Sequence, residues 1–319
     1  MSNTKIITVT FNPSLDRTLT IHYLAVGYQN RTTDPSLLYP AGRGVNISRA
    51  LHALQCETHA VVSLGTEAIG LAYEKLITQE GFPVKILKRP GLTRSNIVIL
   101  DTGHKTETQL IEESTGATPE HLQVIIDALQ EITSVGDIVV YTDDLPNGIP
   151  LEQYPWLINA AHEAGATVVY AAGGTSLKMA LTAQPDLVVL NQTEIERFFN
   201  YPVRTVEDVT YCTQKLLIDG VGRVLVLSAE DDSAILATEK DVWLVDLPDF
   251  EPGTSSGVAD ALIAGYLAGR AMQKPLNKSL EMGAASATYT ASQVGNEFGE
   301  SSDVADIISD VAASSQETD

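Results

Sequence analysis

The chain has 319 residues, 44% of them hydrophobic, and a formal net charge of −21 from 41 acids against 20 bases. That length exceeds the usual single core, so one large domain with an appended lobe, or two domains, are expected, and the acidic balance excludes nucleic acid as a partner because its phosphates would be repelled. No apolar run reaches the length of a membrane span and Met1-Ser2-Asn3-Thr4-Lys5 has none of the regions of a signal peptide, which gives the expectation of a cytoplasmic protein with no membrane partner.

Short β-type runs alternate with segments of helical period. Ile6-Ile7-Thr8-Val9-Thr10-Phe11 reads as a first strand. Ile47, Ala50, Leu51 and Leu54 then fall at i, i+3, i+4 and i+7 on a helix opening near Gly44. Thr118-Pro119 caps a helix carrying Leu122, Ile125, Ile126 and Leu129. A strand at 137–141, a helix at 151–164, strands at 166–171 and 186–191, a helix at 205–219 and a strand at 223–227 follow. The runs 233–238 and 241–247 read as a hairpin, and Val304, Ile307, Ile308 and Val311 as a last amphipathic helix before a frayed tail. Alternation of this kind predicts βαβ crossovers and an α/β fold with a mainly parallel sheet between helices. Residues 15–40 and 88–115 break the rhythm with alternating runs and no helical period, and are expected to pair as a small antiparallel β lid of the sort that keeps water from a reaction.

Several common chemistries are absent. There is no G-x-x-x-x-G-K-[ST], and Gly42-Arg43-Gly44 misses the dinucleotide pattern because Ile47 stands at the third glycine. No G-x-S-x-G elbow or H-E-x-x-H occurs, and Cys56 and Cys212 lie too far apart in sequence for a C-x-x-C site. The negative charge leaves room for a small anionic substrate, since a few local cations outweigh a distant field once water is excluded.

The positive signals are ordered along the chain. Asn12-Pro13-Ser14-Leu15-Asp16 follows the first strand, Ala41-Gly42-Arg43-Gly44-Val45-Asn46 opens the first helix, and Thr93-Arg94-Ser95-Asn96 enters the second lid segment. Asn191-Gln192-Thr193-Glu194 ends a strand, and Thr254-Ser255-Ser256-Gly257-Val258-Ala259-Asp260 opens a late helix. Unpaired N–H groups at such a helix start, with the positive end of its dipole, suit phosphoryl transfer, although Gly and Ser before an apolar helix are also ordinary capping chemistry. The same double reading holds for Asn191 and Glu194.

The order resembles the PfkB (ribokinase-like) family of carbohydrate kinases, and within it the group of 1-phosphofructokinase, minor-type 6-phosphofructokinase and tagatose-6-phosphate kinase. The resemblance runs from about residue 6 to about residue 295 and implies a single ribokinase-like domain over residues 1–319. It also implies ATP and Mg²⁺ as cofactors and a sugar phosphate as substrate. Asp260 would be the catalytic base, with the amides of Gly257, Val258 and Ala259 around the transferred phosphoryl group. Asp16, Gly42, Arg43, Gly44, Asn46 and Asn96 would bind the sugar, Arg94 the phosphate already on it, Ser228 the nucleotide, and Asn191 and Glu194 the magnesium through water. Exposed lid strands make a homodimer through the lid a further expectation.

The pattern is not kept everywhere. Arg43 stands where the family has Lys, Ala259 replaces a glycine, Ala171 an acid, and Asp143-Asp144 a Gly-Ser pair; Val189-Leu190 occupy the place of a lysine before the N-x-x-E asparagine. The S-x-G-x-D-G nucleotide loop reads Ser228-Ala229-Glu230-Asp231-Asp232-Ser233. Were position 259 to need a positive φ, alanine would strain it. Two other readings therefore stay open: a divergent member that binds a sugar or sugar phosphate with weak or no kinase activity, and a kinase of a non-phosphorylated sugar or nucleoside.

Overall fold

The computed structural model describes residues 4–113, 115–142, 145–228, 233–248 and 256–316. In chain order the first half contains β1 (Ile6–Thr10), β2 (Ser14–Ile21), β3 (Leu37–Ala41), α1 (Arg43–Ala53), β4 (Thr58–Leu64), α2 (Ala68–Ile77), β5 (Val84–Lys88), β6 (Arg94–Asp101), β7 (Thr106–Leu110), α3 (Pro119–Ile132) and β8 (Ile138–Tyr141). After a 3-10 turn at Leu151–Gln153 come α4 (Tyr154–Glu163), β9 (Thr167–Tyr170), α5 (Leu177–Leu181), β10 (Leu187–Asn191), α6 (Gln192–Phe199), α7 (Val206–Ile218) and β11 (Val224–Ser228). The chain closes with β12 (Ser233–Ala237), β13 (Val242–Asp246), α8 (Val258–Ala271), α9 (Leu276–Ser292), α10 (Ser301–Ile308) and β14 (Ser314–Gln316).

Ten strands form one sheet in the order β14-β13-β12-β11-β10-β9-β8-β1-β4-β5. The pairings from β11 to β5 are parallel, and β12, β13 and β14 add an antiparallel edge. Alternate residues of each parallel strand feed two cores. Val9, Val139, Val168 and Val188 pack with Leu122, Leu157 and Leu216 on one face, while Ile6, Val140, Val169 and Val189 pack with Ile47, Leu262 and Leu280 on the other. Burial on both faces explains the near-continuous apolar runs of these strands.

The second sheet, β3-β2-β6-β7, is built from the two segments expected to form a lid. Its outer pairings are antiparallel as expected; the central one, β2 with β6, is parallel, because each of the two strands begins beside the same edge of the main sheet and runs away from it. The frayed tail expected after α10 is instead an edge strand, with Val242, Trp243 and Leu244 opposite Gln316, Ser315 and Ser314. Ser-Ser-Gln has no apolar alternation to announce a strand; it pairs with β13 through its main chain, with Ser314 Oγ donating to Leu244 O at 3.5 Å. Asp143-Asp144, residues 229–232 of the nucleotide loop and Thr254-Ser255 lie outside the described residues.

Candidate functional site

The site forms at the carboxyl ends of β1, β8 and β9, where ligands settle in open α/β sheets. Helix α1 enters it from β3 through Gly42, whose φ of 122° is open to glycine, and a Cβ at Gly44 would come within 3.0 Å of Val9 O in β1. The two glycines thus let α1 lie directly on the first strand. Arg43 consequently projects across the sheet edge: its Nη1 donates to Ala171 O at 2.5 Å and Thr142 O at 3.4 Å, and its Nε donates to Asp260 Oδ1 at 3.2 Å. Asn46, one turn on, donates Nδ2 to Asp260 Oδ2 at 2.9 Å. Both oxygens of this carboxylate, only 4% exposed, are therefore held from α1. Burial raises the Asp260 pKa from the ordinary carboxylate value, opposed by the Arg43 charge and by the hydrogen bonds from Asn46 and Arg43.

Asp260 is the third residue of α8, which begins after Gly257 in the left-handed region at φ 80° with no side-chain cap. Among the described residues no acceptor meets the amides of Gly257, Val258 or Ala259; the first bond of the helix runs from Ala261 N to Gly257 O at 2.8 Å. Ala259 lies in ordinary helix, absent from the positive-φ residues. The strain considered for it from the sequence does not arise, because the left-handed turn sits two residues earlier, on Gly257.

The lid supplies a second group. Parallel register sets Ser14 beside Arg94 and Asp16 beside Asn96, so these four share one lid face. Asp16 Oδ1 is buried without a hydrogen-bond partner among the described residues, and burial raises its pKa against hydrogen bonds from Ser14 and Asn96 and the charge of Arg94. Arg94 Nη2 donates to Asn12 O at 2.6 Å, while its buried Nε has no partner among the described residues. Tyr39 and Gln109 lie on the same face by register, and Gln109 Nε2 reaches Ser256 Oγ at 3.5 Å, setting the lid over the start of α8.

The remaining expected residues are placed otherwise. Asn191 Oδ1 accepts from Glu194 N and Glu194 Oε2 from Asn191 N, each at 2.8 Å, a reciprocal capping box on α6. This is an all-oxygen pair at the end of β10, with a donor chemistry that suits hydrated magnesium. Ser228 Oγ is buried and donates to Gln192 Oε1 at 2.7 Å, tying the end of β11 to α6. One participant carries no motif: Asn296, 4% exposed, donates Nδ2 to Asn46 Oδ1 at 2.8 Å. No local pattern announces it, since its partner lies 250 residues away.

The chain has counterparts among known proteins. A family model described as pfkB family carbohydrate kinase matches residues 12–302. The chain is 29% identical over 286 residues to a 1-phosphofructokinase of Bacillus subtilis (strain 168), covering 90% of this chain and 92% of that one. It is 24% identical over 282 residues to the ATP-dependent 6-phosphofructokinase isozyme 2 of Escherichia coli (strain K12), covering 88% and 90%. The crystal structure of phosphofructokinase-2 from Escherichia coli in complex with substrates and products superposes with a TM-score of 0.88 at 24% identity, covering 96% of this chain and 98% of that one.

Proposed function

We propose, since this chain belongs to the pfkB family of carbohydrate kinases, that it transfers the γ-phosphoryl group of ATP to a hydroxyl of a phosphorylated ketohexose of the fructose 1-phosphate, fructose 6-phosphate or tagatose 6-phosphate class. The observation that carries this reading is the buried Asp260 carboxylate in the first turn of a helix whose leading amides are open. A helix start with free N–H groups and a positive dipole end accepts phosphate oxygens. Those of Gly257, Val258 and Ala259 point where charge grows on a migrating phosphoryl group.

Asp260 accepts the proton of the attacking hydroxyl. Its raised pKa makes it a stronger base than an exposed aspartate, while the Arg43 guanidinium opposes that rise by favouring the charged form. The sign follows: turnover falls as pH drops through that raised pKa. Asp16, with an unpaired buried acceptor, takes a sugar hydroxyl. The partnerless Nε of Arg94 takes an oxygen of the phosphate already on the substrate. Arg94 Nε and Asp16 Oδ1, both buried without a partner among the described residues and on one lid face, favour a phosphorylated sugar over a neutral one. Gly42, Gly44, Asn46 and Asn96 line the sugar's approach. Asn191 and Glu194 would hold magnesium through water, and Ser228 would border the nucleotide. When bound, ATP supplies the phosphoryl group and Mg²⁺ neutralises its oxygens.

The test is purified protein with ATP and Mg²⁺ against fructose 1-phosphate, fructose 6-phosphate, tagatose 6-phosphate, ribose and adenosine, with Asp260→Asn beside the wild type. Turnover on one of the three sugar phosphates, falling about 10²–10⁴-fold in Asp260→Asn with sugar affinity kept, is the expected result. Turnover on ribose or adenosine alone, or wild-type rates in Asp260→Asn, would refute it.

A further inference from the structure

Asn46 is bonded at both ends of its amide, and the chemistry of its neighbours fixes which end is which. A carboxylate only accepts, so the end of Asn46 facing Asp260 Oδ2 at 2.9 Å is its NH₂. The other end is then a carbonyl oxygen, which needs a donor, and Asn296 Nδ2 provides one at 2.8 Å. Were Asn46 reversed, its carbonyl would face the carboxylate and its NH₂ would face the NH₂ of Asn296.

Asn296 is itself held, but not for its own hydrogen bonding. Its backbone oxygen accepts from Arg49 Nη1 at 2.9 Å, and the Arg49 guanidinium lies 5.1 Å from the Tyr39 ring and 5.3 Å from that of Phe298, with Nε on Glu80 Oε2 at 2.9 Å. Its side-chain Oδ1, in contrast, is buried with no partner among the described residues. A side chain that leaves its acceptor unsatisfied while its donor meets Asn46 is oriented for the sake of Asn46.

We infer that Asn296 is a positioning residue for phosphoryl transfer: it locks the Asn46 amide in the one orientation that pins Asp260 Oδ2, so that the base is held in place before substrate arrives. The inference rests on the reading of Asp260 as base. Preorganisation of this kind matters because a small misplacement of a reacting group is costly in rate. The one charged group facing Asp260 among the described residues is Arg43, from α1. Helix α9, the other helix packed on α8, meets it through Ser279, Gly283 and Ser286 against Gly269, Tyr266 and Gly265.

The test uses Asn296→Ala, which removes the donor, and Asn296→Asp, which keeps the size and offers no amide. Leu280→Ala, a truncation of a fully buried side chain in α9, serves as a destabilised control. Both Asn296 variants are expected to lose about tenfold or more in kcat, with KM for the sugar phosphate within about twofold, and to show the acid limb of kcat moved to higher pH, because Asn46 no longer holds the charged carboxylate. Leu280→Ala moves the melting temperature and leaves the acid limb in place. Wild-type kcat and pH profile in both Asn296 variants, with Asp260→Asn inactive, would overturn the positioning role and leave the base standing. An active Asp260→Asn would remove both. Should Asn296→Asp fail to fold, Asn296→Ala decides alone.

Discussion

Helices α6 and α8 both begin at the carboxyl edge of the main sheet, and both carry an acid at their third position, yet the two acids point in different directions. Glu194 turns back onto its own cap, accepting from Asn191 N while Asn191 Oδ1 takes Glu194 N. Asp260 turns away from its helix to Arg43 and Asn46, and the cap beneath it is a glycine with no side chain to close the amides. The first arrangement satisfies the orphan donors of a helix start from within. In the second, tertiary partners draw the acid away and the donors stay open. Only the second leaves donors available to an anion, so the pattern of an acid in the first turn is not by itself diagnostic.

The strongest way to break the contrast is to close α8. Gly257→Ala places a Cβ against Asn296 Oδ1 and forces a left-handed φ of 80° on an alanine. The conformation alone costs about 1–2 kcal/mol. Displacing the turn misdirects the amides, and losing one such donor costs about 10²–10³-fold in kcat. Steady-state kinetics with a melting curve at matched protein concentration check this. A Gly257→Ala protein with wild-type kcat would mean that the open turn has no part in turnover.

A milder change probes α6. Asn191→Ala removes the cap and lowers unfolding stability by about 1 kcal/mol, measured by urea titration. If the pair also holds magnesium, the Mg²⁺ concentration for half-maximal activity rises several-fold as well. An unchanged Mg²⁺ requirement would leave capping as the role of Asn191, and would sharpen the difference between the two helix starts.

What could be read from the chain follows the range of each interaction. The β1–α1 unit, α3, α7 and the β12–β13 hairpin have local apolar periodicity and their outlines were legible. Helix α9 gives no amphipathic stripe because Leu280, Met282, Ala284, Ala285, Ala287 and Ala291 are buried around its circumference among small residues. Strand β14 is polar and pairs with β13 through its main chain. In the site, Asp260, Arg43, Asn46, Asp16 and Arg94 were recognisable by motif, but not their pairings: that Arg43 binds the base, or that Asp16 meets Asn96, depends on contacts across 217 residues or on a parallel lid register. Asn296, tied into the site from 250 residues away, had no signal at all.

The smallest expected effect concerns Ala259, where the family's glycine is missing. In α8 this residue follows the left-handed turn and precedes Asp260, in ordinary helical conformation. Its N–H therefore points along the helix axis whether or not a Cβ is present, and alanine is the better helix former by up to about 1 kcal/mol. Ala259→Gly should consequently lose a fraction of that stability and keep kcat within about twofold, since the open amides depend on Gly257 and on the withdrawal of Asp260. A tenfold gain in kcat would show instead that the methyl group crowds the phosphoryl path, and that position 259, rather than the turn at Gly257, limits the site.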